Sequence, residues 1–201
     1  QIIIISDKGM TKDMNYVPAL LATGAIHHRL IKDGIRLKAS IVVETGQCWS
    51  THHFATLIGY GASAICPYLT WETIRQEFEQ RTAKKGRDNL TVEQAQKNYK
   101  RAVDNGILKI LSKMGISLIS SYQGAQIFEI IGLSQRVVDA AFVGTASQVG
   151  GLTMPDLEKE MKAFKAQAYD ENLQKLRNAG FFREKGGGEY HFNSKIMVQN
   201  L

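Results

Sequence analysis

Short, unbroken apolar runs rich in β-branched residues recur along the chain, at Ile2–Ile5, Ala39–Glu44, Ala62–Cys66, Ser117–Ser120 and Ala140–Gly144. A strand with one wet face alternates apolar and polar residues; continuous runs of this length suit strands covered on both faces, as in parallel sheets. The segments between them follow another period. From Val17 to Asp33, residues Val17, Leu20, Leu21, Gly24, His28 and Ile31 fall on one side of a helix, with Pro18 in its first turn and Gly34 as its stop. Thr91–Gln94 reads as a capping box that opens a stripe of Val92, Ala95, Tyr99, Val103, Ile107, Ile110 and Met114. Gly124–Leu133 reads as a further helix closed near Gly132. Strand and helix in alternation require right-handed crossovers and a parallel sheet, so the predicted class is α/β. A (β/α) barrel, or part of one, is the expected architecture, and a doubly wound open sheet is the alternative.

The 201 residues suffice for one domain, or for one domain and a piece of a second. Gln1 stands directly before the first strand, which predicts a segment cut from a longer polypeptide. No apolar run approaches the roughly 20 residues that span a bilayer, and no signal peptide is legible, so a soluble protein is expected. Two cysteines, Cys48 and Cys66, are too few for a disulfide scaffold and suit a reducing compartment. The net charge of +6 and pI near 9.3 favour acidic partners. Lys97, Lys100, Arg101, Lys109 and Lys113 share one stretch with Asp104, but no interleaved aromatics accompany them. A solvated helix face therefore outweighs a nucleic-acid site, although charge alone leaves a nucleic-acid-binding module as one functional class to test.

Arg81–Asn89 is polar and basic, as expected of an exposed loop between helices. Met154–Asn178 is charged and helical and reads as a connector; the Gly-rich, aromatic stretch beyond it reads as the start of a new unit, with a domain boundary near residue 180.

Parallel α/β folds gather function at the carboxyl ends of their strands, which directs attention to loops beginning at Ser6, Glu44, Pro67, Ser121 and Gly144. The stretch Glu44–Gly61 places Cys48 and the pair His52 and His53 close together. A zinc site would need a second paired cluster, and adjacent histidines on a helix point about 100° apart. A helix start with Ser50 or Thr51 as N-cap, Phe54, Leu57 and Ile58 on the buried face and His53 at its edge is the stronger reading. His27 and His28 read likewise, with His28 on the apolar stripe as a hydrogen-bonded core residue. A Cys48 nucleophile with a histidine base, and a regulatory Cys48–Cys66 disulfide, are the chemical alternatives. Gly144–Gly151 follows an expected strand and precedes a helix, the place where amides hold phosphate, but it lacks the P-loop and dinucleotide spacings and reads as a tight turn. Gly186–His191 reads as a flexible linker.

The strings CWSTHHFATLIGYGASAICPYLTWETIR, LTVEQAQKNYKRAVDNGILKILSKMGIS, SYQGAQIFEIIGL and GGEYH, in this order, resemble the large chain of glutamate synthase, most closely the ferredoxin-dependent form of cyanobacteria and plastids. The resemblance runs over essentially the whole chain. It implies a segment of a long multidomain enzyme: residues 1–180 the latter part of a central domain, with a helical connector over about 154–180, and 181–201 the start of an FMN-binding synthase domain. It also implies FMN and a [3Fe-4S] cluster in the full enzyme, the acidic protein ferredoxin as electron donor, and glutamine, 2-oxoglutarate and ammonia as small molecules. The expected place is the cytoplasm of a cyanobacterium or the plastid stroma. Neither the glutaminase nucleophile nor the cluster cysteines match Cys48 or Cys66, so no catalytic, cofactor-binding or metal residue is carried over. Gln123 and Gln148 stand where bacterial forms often carry arginine, and no anion contact is carried over there.

The resulting expectation is a scaffold and ammonia conduit between glutaminase and FMN sites. Uncharged polar groups of the loops Glu44–Gln47 and Ser120–Gly124 would line the path, with Glu44 turned away. An independent flavin- or phosphate-binding (β/α) barrel enzyme is the alternative.

Overall fold

The structure is a computed structural model that describes residues 1–85, 90–172, 180 and 183–200. It divides into two units, Gln1–Lys165 and Ala166–Leu201.

The first unit opens with β1 (Ile2–Ser6), α1 (Ala19–Lys32), β2 (Ser40–Glu44), α2 (Thr51–Gly59) and β3 (Ala64–Cys66). The three strands pair in parallel in the order β1-β2-β3, with unbroken register from Ile2 opposite Ser40 to Glu44 opposite Cys66. Ile41 and Val43 of the central strand are wholly buried. Each contributes roughly 1.5–3 kcal/mol by leaving water. α1 and α2 supply Ala19, Leu30 and Leu57 to the same core. The opposite face of β1 differs from expectation, since Ile2 and Ile4 are 70% and 66% exposed. Continuous apolarity predicts two covered faces, and the described residues cover only one.

α3 (Tyr68–Lys85) and α4 (Val92–Met114) follow. Arg81–Lys85, expected in a loop, continue the backbone of α3, and the rest of that expected loop, residues 86–89, lies outside the described residues. α4 starts on the expected capping box, Thr91 Oγ1 accepting from Gln94 N and Gln94 Oε1 accepting from Thr91 N, and ends on Gly115 in the left-handed region.

The next stretch reverses several expectations. Ser117–Ser120 is no strand: its second half enters the helical turn α5 (Ile119–Tyr122). Gly124–Leu133 is no helix: it contains β4 (Glu129–Leu133). Ala140–Gly144 is no strand either, because Ala140 and Ala141 finish α6 (Gln135–Ala141). Gly144–Gly151, expected as a turn, is largely β5 (Ala146–Leu152), paired in parallel with β4 and leading into α7 (Met154–Ala168). Short apolar runs carry no period long enough to separate strand from helix. β5 is polar and glycine-rich, and becomes a strand through its partner: a Cβ on Gly151 would lie 2.4 Å from the Gly132 carbonyl oxygen.

β4 and β5 form a sheet separate from β1-β2-β3, so the unit is α/β with parallel strands but not a closed barrel among the described residues. Val137, Val138, Ala141 and Phe142 build a second core with Tyr60. α1 lies between the two cores, offering Ala19 and Leu30 to one and Leu20, Leu21 and Ala25 to the other. Its buried residues are therefore Ala19, Thr23, Gly24, His27 and Leu30, while Val17 and Ile31 of the expected stripe are exposed. Gly24 allows the crossing with α6, since a Cβ there would stand 2.2 Å from the Ala141 carbonyl oxygen.

In the second unit, α8 (Lys195–Asn200) begins where Ser194 Oγ accepts from Met197 N, and a His191 ring nitrogen bonds the Gly180 carbonyl at 2.6 Å.

Candidate functional site

The histidine pair after β2 is a helix start. Ser50 is the N-cap of α2: its Oγ accepts from His53 N at 3.4 Å, and His53 Nδ1 accepts from the backbone N–H of Ser50 and of Trp49, both at 3.3 Å. His53 thus takes the part that glutamate or glutamine has in a capping box. Accepting at Nδ1 requires the neutral ring, and burial, helped by the neighbouring His52, lowers the His53 pKa in that direction. Cys48 is 1% exposed, its thiol pushed up to about 12 by burial. A thiol held in that state is a poor nucleophile. Cys66 is half-buried, and both cysteines are free.

The carboxyl ends of β1 and β2 do form a site, centred on a residue that sequence reading missed. Asp7 Oδ2 accepts from Thr45 Oγ1 at 2.5 Å and Gln47 Nε2 at 2.8 Å, and Oδ1 accepts from Gly46 N at 2.9 Å. Gln47 Oε1 in turn accepts from Ala19 N at 3.1 Å, so one side chain serves the start of α1, where Pro18 offers no cap. An acidic residue just after an apolar strand was the available signal. Beside this network lies a cavity of about 410 Å³, lined by Ser6, Asp7, Lys8, Asn15, Tyr16 and Glu44 among others. Ser6 Oγ donates to Glu44 Oε2 at 2.7 Å, and Lys8 Nζ stands 3.5 Å from Glu44 Oε1. Glu44 therefore turns toward the cavity, opposite to expectation, with its charge matched by Lys8. Burial and the Asp7 charge raise the Tyr16 hydroxyl. The cavity can hold a small polar molecule against matched charges.

The Ser120–Gly124 loop lies at the other end of the sheet. Gln123 Nε2 donates to the Ala62 carbonyl at 2.8 Å, just before β3, and Gly124 N to the Gly59 carbonyl at 2.8 Å. Gln123 thus has a structural partner, Gln148 is exposed on β5, and the loops Glu44–Gln47 and Ser120–Gly124 do not share the carboxyl-end cavity. Of the five inspected positions, Ser6, Glu44 and Pro67 stand at strand ends, Ser121 lies within α5, and Gly144 follows α6.

At the same far end His27, not His28, is the buried ring. Arg36 Nε donates to His27 Nδ1 at 2.9 Å, while its other nitrogens donate to the carbonyls of Ala39 and Gly61. Burial first, then the Arg36 and His28 charges, lower the His27 pKa to about 4. Gly61, at φ +104°, leaves the room this needs, since a Cβ there would lie 2.2 Å from His27 Nδ1.

The glutamate synthase central domain family matches residues 1–134. Over the whole chain, the sequence is 51% identical to ferredoxin-dependent glutamate synthase 2 of Synechocystis sp. and 54% identical to ferredoxin-dependent glutamate synthase of Pyropia yezoensis. It is 52% identical to the chloroplastic ferredoxin-dependent glutamate synthase of Oryza sativa subsp. japonica. In each case 100% of this chain is covered but only 13–14% of the relative. With residues 1–134 of 201 matched, the chain belongs to the glutamate synthase central domain family.

Proposed function

We propose that the chain is a segment of a ferredoxin-dependent glutamate synthase, an oxidoreductase that forms two glutamates from glutamine and 2-oxoglutarate with electrons from reduced ferredoxin. The observation that carries this reading is the alignment of the whole chain, at about half identity, with relatives bearing that name. Residues 1–180 are then the latter part of the central domain, with residues 154–180 as connector, and 181–201 open the FMN-binding domain. The setting is a cyanobacterial cytoplasm or a plastid stroma; several relatives are chloroplastic, and among the described residues no helix is long and apolar enough to cross a membrane.

FMN and the [3Fe-4S] cluster belong to other parts of that polypeptide. A cluster of this kind takes cysteine thiolates. This chain has Cys48, sealed in the core, and Cys66 on β3, and they do not make such a set. The segment acts as scaffold and as part of the ammonia path between the glutaminase and FMN sites. Ammonia passes a wall unchanged where no acidic proton donor meets it. At the carboxyl-end cavity Asp7 is enclosed by three donors and Glu44 is held by Ser6 and Lys8, which leaves hydroxyls and amides for a neutral molecule. In the full-length enzyme, Ser6→Trp should lower glutamine-driven turnover while ammonia-driven turnover persists. Equal loss of both, or loss of neither, would remove the conduit from the proposal.

A further inference from the structure

A second cavity, of about 230 Å³, lies away from the strand carboxyl ends, between the last turns of α1 and α2 and the loop before β4. Among the described residues no Asp, Glu, Lys or Arg lines it; its polar side chains are His27, His28 and Gln126, the Tyr60 hydroxyl being bonded to Thr145 at 2.7 Å, and its apolar walls include Ile31, Phe128 and Val143.

Hydrogen bonding outside the cavity fixes the proton on each histidine. Arg36 can only donate, so its 2.9 Å bond to His27 Nδ1 leaves the His27 proton on Nε2, the atom nearest Gly124 of the cavity wall. The guanidinium behind the ring makes that N–H a stronger donor toward a carbonyl oxygen. His28 is the reverse case. Its Nδ1 lies 2.8 Å from the Gly24 carbonyl, which can only accept, so Nδ1 carries the proton and Nε2 of the neutral ring is an acceptor. The two rings meet edge to face with centroids 5.1 Å apart, and both line the cavity.

The walls are crowded against glycines. A Cβ on Gly59 would meet Phe128 at 2.4 Å, and one on Gly144 would meet the Gln126 amide at 2.2 Å. Gln126, at φ 53°, is the one non-glycine residue with positive φ among the described residues; its amide donates to the Val143 carbonyl at 3.2 Å. Tyr60 and Phe128 stack at 5.6 Å, so the apolar side of the cavity is largely aromatic.

We infer that this cavity binds a small neutral carboxamide or lactam, its carbonyl oxygen accepting from His27 Nε2–H, its N–H donating to His28 Nε2, and its apolar body lying against Phe128 and Tyr60. A charged ligand would find no counter-ion among the lining residues. Pockets for drug-sized ligands start near 300 Å³, so the occupant here has roughly ten non-hydrogen atoms. The inference stands apart from the conduit, which concerns the other end of the sheet.

Benzamide is the probe, followed by ligand-observed NMR on the full-length polypeptide that carries this segment. Binding with a dissociation constant on the order of 1 mM is expected, about fivefold or more tighter than for acetophenone, which keeps the carbonyl and loses the N–H. His28→Leu should weaken benzamide about tenfold and leave acetophenone nearly unchanged. The comparison of the two ligands on the native protein needs no variant to fold. Equal affinity for benzamide and acetophenone, undiminished benzamide binding in His28→Leu, or absence of binding at tens of millimolar, on the scale of roughly tenfold above the expected constant, would each overturn the inference.

Discussion

The two parallel sheets of the first unit are built on different terms. β1-β2-β3 runs in unbroken register around Ile41 and Val43, both at 0% exposure. β4-β5 pairs with register shifts on either side of Ile131, which is itself 74% exposed, and Val149 opposite it is 54% exposed. The second core is carried by the helix between those strands, through Val137, Val138 and Ala141. A buried strand is held by its side chains; an exposed one is held by its ladder and by what lies beside it. The same difference separates what could be read from sequence from what could not.

The largest effect that sharpens this contrast is expected from Ile41→Ala, which should cost about 2–5 kcal/mol in denaturant unfolding. Ile131→Ala should change stability by no more than about 0.5 kcal/mol. Similar losses at both positions would mean that the two sheets are equally packed.

The next effect is pH dependence at the buried His27. His27 titrates near 4 when folded against 6.5 ordinarily, so the unfolded chain binds the extra proton between these values. The stabilisation is complete above about 6.5 and is lost as pH falls toward 4, by at most about 3 kcal/mol. Denaturant midpoints from pH 7 to 4 should show this decline, and His27→Gln should flatten it. A decline of equal size in His27→Gln would move its origin to other groups.

Smaller still is the cap of α2, at the carboxyl end of the first sheet. Ser50→Ala should cost about 1 kcal/mol. His53→Ala should act on the same cap, so the double variant should lose less than the sum of the single ones. Simple additivity would show that the reciprocal arrangement of Ser50 and His53 carries no energy of its own.

Both sheets lie in one chain, yet only the first was legible. Ile2–Ile5, Ala39–Glu44 and Ala62–Cys66 were placed within two residues of β1, β2 and β3, Thr91 was placed as a cap, and the cap of α2 was narrowed to Ser50 or Thr51, of which Ser50 serves. Burial and capping write themselves into residue type at each position. Gly124–Leu133 and Ala140–Gly144 exchanged helix and strand, because each is short, apolar and broken by glycine, and neither period fits better.

The candidate site divides in the same way. The sequence marked Ser6 and Glu44 as the starts of loops at strand ends, and its length of matching strings marked the family. It did not mark Asp7, whose role depends on Thr45, Gly46 and Gln47 arriving from the next strand, or the pairing of His27 with Arg36 beneath Gly61. Composition, local period and capping determined the α/β class and its first three strands, since those are properties of neighbouring residues. Which carboxylate is enclosed and which histidine is buried were decided only by tertiary structure, because a hydrogen bond between groups far apart in the chain has no local signature.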